Sequence, residues 1–598
     1  MFQEFTSPAD PSQGRGRLVA LRARLAEAGI SGFLVPRADV HQGEYVAPRD
    51  ERLQWLTGFT GSAGFCVVLP EIAGVFIDGR YRVQVKAQVD LSVFTPVPWP
   101  EVKAGDWMAE HLNAGDVVGF DPWLHTADEV ARLQEALSAK GIGLRPVANA
   151  VDAIWADQPP PPMGRVWVHP EDLAGAGHAE KRARLAADLT KARQGAAVIT
   201  LPDSICWLLN LRGADVPRNP VLHGFAILFA DGRVDLFAEA AKMSAAVIDH
   251  LGADVRLCPI EAFVPALQAL RGVVRVDRQS APLAVSVTIE GAGGEVVWGD
   301  DPCRLPKACK TPGELQGMRA AHLRDGAAMV EFLCWLDAQP QGSLTEIEVV
   351  SALEGFRRAT NCLHDISFDT ICGVGGNGAI IHYRVTQETN RRIEGDTLLL
   401  VDSGAQYPDG TTDITRTVPV GVPSAEHRAC YTRVLRGMMA ISRVRFPVGL
   451  AGRDLDPLAR FPLWVEGQDY DHGTGHGVGA FLSVHEGPQR ISRISEVPLQ
   501  PGMILSNEPG YYREGSFGIR LENLIVVQKA PDLGDHRAQY CFETLTYVPF
   551  DRRLLDLSQL AQAERDWLNA YHAEVLDKLA ARVSAPALSW LQAACAPV

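Results

Sequence analysis

The sequence predicts an α/β (α+β) chain: two related α/β domains, then a larger domain built on β-hairpins with a helical C-terminal extension. Three observations predict it. The chain opens with a helix followed by a buried strand, a Trp-Leu segment at residues 55–61 recurs in modified form at residues 207–213, and acidic residues close apolar runs at hairpin-like intervals across residues 398–524. A chain of 598 residues exceeds what one hydrophobic core supports, so several domains are expected.

Leu18, Leu21 and Leu25 keep helical spacing, Gly29 closes that helix, and Gly32-Phe33-Leu34-Val35-Pro36 reads as the strand after it. Trp55-Leu56-Thr57-Gly58 returns as Trp207-Leu208-Leu209-Asn210, again after a helix (around residues 184–193) and an Ala-Val-Ile strand (Ala196 to Thr200). A repeat this long indicates a duplicated domain, not a solenoid. Pro159-Pro160-Pro161-Pro162 is a stiff stretch that cannot sit inside a sheet and divides the copies. Thr311-Pro312-Gly313-Glu314 combines a capping box with proline at the first helical position and starts a long helix through Trp335. The expected domains are therefore 1–158, 159–306 and 307–598, with an extension from about residue 540 in which Trp567, Leu568, Tyr571, Val575 and Leu579 keep helical spacing.

Composition narrows the function. Lys and Arg number 57 against 72 Asp and Glu, a formal net charge of −15, and no basic block offsets it, so neither nucleic acid nor an anionic membrane is an expected partner. Eleven scattered cysteines without a CxxC pair point to reduced thiols. The first residues lack a basic segment followed by an apolar run, and no long apolar window follows, so the expected location is cytoplasmic. Gly373-Val374-Gly375-Gly376-Asn377-Gly378 satisfies GxGxxG, but Ala379-Ile380-Ile381-His382-Tyr383 reads as β-like, and a dinucleotide fingerprint needs a helix there.

The chemistry lies in the hairpins. Asp402 ends Thr397-Leu398-Leu399-Leu400-Val401, and a Pro408-Asp409-Gly410 turn returns the chain to Thr412-Asp413-Ile414. Glu508 and Glu522 repeat the device around Gly515, and His472-Gly473-Thr474-Gly475-His476-Gly477 stands between the two hairpins, with glycines that allow close backbone approach. Converging carboxylates need compensating positive charge. Four carboxylates and one neutral imidazole balance two dications by count, and mostly oxygen ligands suit Mn²⁺, with Zn²⁺ or Co²⁺ as alternatives.

The strings Val401-Asp402-Ser403-Gly404, Thr412-Asp413-Ile414-Thr415-Arg416-Thr417, His472 to Gly477, Asn507-Glu508-Pro509-Gly510 and Arg520-Leu521-Glu522-Asn523 resemble the dinuclear site of the pita-bread peptidases. Over nearly its whole length the chain is similar to the aminopeptidase P family in its long three-domain form. The resemblance implies two creatinase/prolidase N-terminal-like α/β domains before a pita-bread catalytic domain, and a homodimer. It implies Asp402, Asp413, His476, Glu508 and Glu522 as metal ligands, with Asp413 and Glu522 bridging two divalent ions. The implied reaction is hydrolysis of the N-terminal Xaa-Pro bond of small peptides with proline second, by a hydroxide shared between the ions with Glu508 as base.

His485 is the candidate for stabilising the oxyanion and His382 for the leaving nitrogen, since imidazoles titrate near working pH. His472 and His382 are candidates for an imidazole-lined proline slot. Arg520, two residues before Glu522, could orient Glu508 or Asp413 and touch substrate. The resemblance adds Arg80, in Asp78-Gly79-Arg80-Tyr81, as a substrate contact. Prolidase, which shares these ligands, is the nearest alternative, but the duplicated front half argues against it. A non-catalytic binding protein on the same fold is the remaining alternative.

Overall fold

The computed structural model describes residues 1–7 and 9–598, and the chain divides into two compact units, Met1–Ser7 with Leu305–Val598, and Pro8–Arg304. In the unit Pro8–Arg304 the tryptophan repeat is a repeat of topology. Strands β1 (Gly32–Pro36), β2 (Phe65–Val68), β3 (Ala73–Ile77), β4 (Thr95–Pro98), β5 (Val117–Phe120) and β6 (Gly143–Pro146) form one sheet in the order β4-β3-β2-β1-β5-β6. Then come β7 (Val166–Val168), β8 (Ala196–Ile199), β9 (Leu211–Gly213), β10 (Phe225–Phe229), β11 (Val234–Phe237), β12 (Val255–Cys258), β13 (Val273–Val276) and β14 (Glu295–Trp298). Strands β7 and β9 pair with each other, and the other six form a second sheet in the order β12-β11-β10-β8-β13-β14.

Strand directions also match between the sheets. The first strand of each is antiparallel to the second and parallel to the fifth, and the third is parallel to the fourth. Trp55 sits in helix Arg52–Thr57, closed by Gly58 at φ +86°, and Trp207 sits in helix Pro202–Leu209, closed by Asn210 at φ +50°. Glycine and asparagine are the residues that tolerate a left-handed cap, so Gly58 and Asn210 are one device in two copies. Between the copies, residues 158–165 carry neither helix nor strand.

In the other unit, helix Pro312–Asp337 begins at Thr311 with the reciprocal bonds of a capping box, Glu314 N to Thr311 Oγ1 at 3.1 Å and Thr311 N to Glu314 Oε2 at 2.8 Å. Met318, Ala321, Ala328, Val330, Phe332 and Leu333 face the core. The strands are β15 (Asp365–Ile366), β16 (Ile371–Val374), β17 (Thr397–Ser403), β18 (Ala405–Tyr407), β19 (Gly410–Thr411), β20 (Ile414–Val420), β21 (Phe446–Pro447), β22 (Gly475–Gly477), β23 (Glu486–Ile491), β24 (Ile504–Asn507), β25 (Gly510–Arg513), β26 (Phe517–Arg520), β27 (Asn523–Lys529) and β28 (Gln539–Thr544). They form the sheets β15-β18-β19, β16-β17-β20 and β21-β28-β27-β24-β22-β23, and the ribbon β25-β26. The C-terminal helices Gln562–Leu579 and Ala585–Ala594 bury Leu568, Tyr571, Val575, Leu579, Ala587 and Leu591 in one core with Val434, Leu435 and Met438. The extension is thus part of the core of this unit.

Two expectations change. The first seven residues join the unit Leu305–Val598 and not the front domain, because the Gln3 amide pairs with the Thr370 backbone in both directions and Phe2 N donates to Glu354. The segment after the GxGxxG stretch is a turn and not a strand: Gly375–Ala379 is a short 3-10 helix, and Asn377 and Tyr383 fold back onto the buried carboxylate of Glu346. No helix among the described residues is long and apolar enough to cross a membrane.

Candidate metal centre

Each carboxylate sits where a ladder ends or breaks. Asp402 is opposite Thr415 in the β17–β20 ladder, and Asp413 immediately precedes β20, after the turn in which Tyr407 pairs with Gly410. The β24–β27 ladder ends at Asn507 opposite Asn523, and the β25–β26 ribbon starts at Gly510 opposite Arg520. Glu508 and Glu522 occupy the gap between these two ladders. A side chain in such a break is freed from the pleat and can turn toward a common point. His476 arrives on β22, whose glycines pack directly on neighbouring backbone: a Cβ on Gly475 would lie 1.9 Å from Ser506 O.

The side chains converge. Asp402, Asp413 and Glu522 offer oxygens within 4.8 Å of one another, as do the ligand atoms of His476, Glu508 and Glu522, and those of Asp413, His476 and His485. His476 Nε2 lies 3.3 Å from Glu508 Oε1 and 3.5 Å from Asp413 Oδ2. His476 Nδ1 lies 3.0 Å from Gly477 O, and donation to that carbonyl directs Nε2 at the acids, where a bound cation would take the place of its proton.

Electrostatics marks the cluster as short of positive charge. Burial pushes the Asp402 carboxyl up to about 6, with Arg520 opposing and Asp413 and Glu508 adding to the rise. Burial and then Asp413, Glu508 and Asp402 hold Glu522 well above the carboxylate range, and burial raises Glu508 against the pull of His476. Burial acts against a charged His476, yet its bond to Asp413 and the charge of Glu508 lift it to about 9.

A divalent cation fits on the donors themselves. Asp402 Oδ1, Asp413 Oδ1 and Glu522 Oε1 are buried and accept no hydrogen bond. An unsatisfied buried polar atom costs about 1–3 kcal/mol, and more when charged, and three clustered carboxylates that each carry one are what a cation would satisfy. The other oxygens are engaged: Thr415 Oγ1 donates to Glu522 Oε2 at 2.8 Å, Ser506 Oγ to Glu508 Oε1 at 3.0 Å and Arg520 Nη2 to Asp402 Oδ2 at 2.5 Å.

Arg520 therefore reaches Asp402, not Glu508 or Asp413. Its strand ends beside β17, and its other donors go to Tyr512 Oη at 2.7 Å, Thr415 Oγ1 at 3.3 Å and Ile381 O at 3.4 Å. The guanidinium is buried, hydrogen-bonds Asp402 and also bears on Glu508 through its charge. His472 Nε2 lies 2.9 Å from Tyr512 Oη, so a chain His472–Tyr512–Arg520–Asp402 runs from the predicted proline slot to the acids. His382 follows Ile381 at the same edge, and the rings of His485 and His476 meet edge to face at 4.3 Å. Arg80 belongs to the unit Pro8–Arg304, where Asp78 takes its guanidinium at 2.6 Å and the Tyr81 ring lies beneath it.

Sequence reasoning missed three supports. Tyr512 was within reach of it, because positions 508, 510 and 512 share a face at period two. Glu346, which accepts from Val374 N, Asn377, Tyr383 and Arg391 N and so pins the loop bearing His382, carries no signal beyond a helix start. Nor does Asp325, which joins Arg357, Tyr407 and Thr412 beneath the Asp402–Asp413 turn.

An oxygen-rich, cation-deficient cluster with one imidazole, set in breaks of antiparallel sheet, defines a metal-dependent hydrolase. Residues 316–529 match metallopeptidase family M24 and residues 538–598 its C-terminal region, while residues 17–154 and 157–314 each match a creatinase/prolidase N-terminal domain. The probable Xaa-Pro aminopeptidase P of Aspergillus fumigatus is 40% identical over 97% of this chain and 92% of its own length. Aminopeptidase P2 of Arabidopsis thaliana is 39% identical over 94% and 85%. A crystal structure of X-prolyl aminopeptidase from Caenorhabditis elegans, described as a cytosolic enzyme with a di-nuclear active site, superposes with a TM-score of 0.93 at 34% identity, covering 98% of this chain and all of that one. The chain belongs to metallopeptidase family M24, in the group of its aminopeptidase P relatives.

Proposed function

We infer that this chain is an Xaa-Pro aminopeptidase that removes the N-terminal residue of small peptides carrying proline second. Asp402, Asp413, His476, Glu508 and Glu522 would hold two divalent metal ions. The observation that carries this is the convergence of Asp402, Asp413 and Glu522, each of which also has a buried oxygen that accepts no hydrogen bond. Oxygen-dominated ligation favours Mn²⁺, with Zn²⁺ or Co²⁺ as alternatives.

Two such ions, when bound, supply a water that ionises near neutral pH and polarise the scissile carbonyl. The protein's own groups complete the reaction. Glu508 takes the proton of the attacking water, and its raised basicity suits that task. His485, close to both Asp413 and His476, donates to the developing oxyanion. A proline nitrogen carries no N–H and departs as a secondary amine, so it needs a proton delivered, a role this reading gives to His382. His472, oriented by Tyr512, walls the proline slot with His382. Arg80 enters as a substrate contact on family resemblance.

A division near residues 158 and 306, with the first seven residues packed on the last domain, belongs to the same reading, supported by two sheets of identical strand order. So do a cytoplasmic location and a homodimer. The test is product analysis with Mn²⁺ on a tripeptide with proline second and on an Xaa-Pro dipeptide. Release of the first residue from the tripeptide is expected. Turnover of the dipeptide alone makes the enzyme a prolidase, and no turnover makes it a binding protein.

A further inference from the structure

The residue after His485 is a buried acid that the reaction does not use. Glu486 has a fully buried side chain, Lys307 Nζ donates to its Oε2 at 2.7 Å, and Lys310 Nζ donates to its Oε1. Both lysines are about as deeply buried, and Lys310 also donates to Lys307 O at 2.9 Å. Two ammonium groups and one carboxylate out of water are expensive, and apolar residues of the same volume would usually be as stable or more so.

Their placement indicates what they do. Glu486 opens β23 opposite Gly477, the residue after His476, and a Cβ on Gly477 would lie 2.4 Å from Glu486 O. A Cβ on Gly479 would lie 3.2 Å from the Glu486 carboxylate. The acid is therefore packed under the strand of His476 while its own backbone carries His485. The lysines come from the segment just before helix Pro312–Asp337, so two remote pieces of chain meet at one carboxylate.

We propose that Lys307 and Lys310 clamp Glu486 so that His485 is held at its working position over the metal centre, making the triad a positioning device for the oxyanion donor. The proposal rests on the reading of His485 given above. A buried ionic group with a fixed partner geometry sets register where apolar contacts slide, and a misplacement of about 1 Å at a reacting group costs up to about 10²-fold in rate.

The test uses the full chain with Mn²⁺ and a tripeptide carrying proline second. Glu486→Gln and Lys310→Met are expected to lower kcat about 10- to 100-fold while KM and metal content stay within about twofold. Lys310→Met keeps a one-to-one Lys307–Glu486 pair, so it folds even if Glu486→Gln does not. Lys310→Arg is expected to recover most of the rate, and Glu486→Gln is expected to add little in a His485→Ala background. Unchanged kcat in Lys310→Met, or a loss that multiplies fully onto that of His485→Ala, overturns the clamp and leaves the metal centre untouched. Full turnover in His485→Ala alone overturns the reading of His485 itself.

Discussion

Arg520 Nη2 donates to Asp402 Oδ2 across 2.5 Å, joining the last residue of β26 to the penultimate residue of β17 with both side chains buried. The contact uses one Asp402 oxygen and leaves Oδ1 without a hydrogen bond, in a carboxylate that clusters with Asp413 and Glu522. One guanidinium thus both neutralises and aims a carboxylate.

Arg520→Lys keeps the charge and loses the fork that reaches Asp402, Tyr512 and Thr415 together. Metal content is expected to persist while kcat falls about 10- to 100-fold, as for other supporting partners of metal ligands. Elemental analysis beside steady-state kinetics checks it, and unchanged kcat would refute the orienting role.

Tyr512→Phe removes the hydroxyl that joins His472 to Arg520. Its main effect is expected in KM for proline-containing peptides, through a freed His472 ring. An effect on kcat alone would show that the hydroxyl serves Asp402 instead.

Asp402 sits at about 6, and Glu522 is raised further, when no cation is bound. Protons compete with cations, so metal affinity is expected to rise with pH through about 6. The sign for stability is the opposite. Carboxyls raised in the folded state give stability that is present below their unfolded values near pH 4 and is lost as pH rises through the folded ones. The metal-free protein should therefore lose this contribution between about pH 4 and 6 or above. The increase in melting temperature on adding Mn²⁺ should be larger at about pH 7.5 than at about pH 5, and scanning calorimetry at both values checks it.

Glu522→Gln replaces a carboxyl whose burial, and then its acidic neighbours, already favour the protonated form. The metal-free variant is expected to be no less stable than the parent, to lose the stabilisation by metal and to be inactive. A variant that still gains stability from Mn²⁺ would remove Glu522 from the ligand set.

Leu568→Ala empties a fully buried position where the C-terminal extension meets helix Ala425–Arg443. A loss of about 2–5 kcal/mol is expected, as for other buried leucines, with unfolding of the whole catalytic unit and not of the extension alone. Arg416 makes the coupling direct: it donates to Glu522 O at 2.6 Å and to Tyr571 Oη at 3.2 Å.

The amino-acid sequence by itself determined whatever depends on local chemistry. It marked the helix beginning at Thr311, since a capping box needs only four residues, and the duplicated front half, since Gly58 and Asn210 each close a helix locally. It also marked the hairpins that bring acids together, because turn residues and strand period set which side chains meet. Tertiary structure alone decided what depends on distant chain. That Arg520 chooses Asp402, that Glu346 holds the loop of His382 and that two lysines grip Glu486 all involve residues on different elements, 37 positions apart for Glu346 and Tyr383 and more than a hundred for the other two. A buried charge takes whichever partner the packed elements bring within reach, and no spacing in the sequence records that choice.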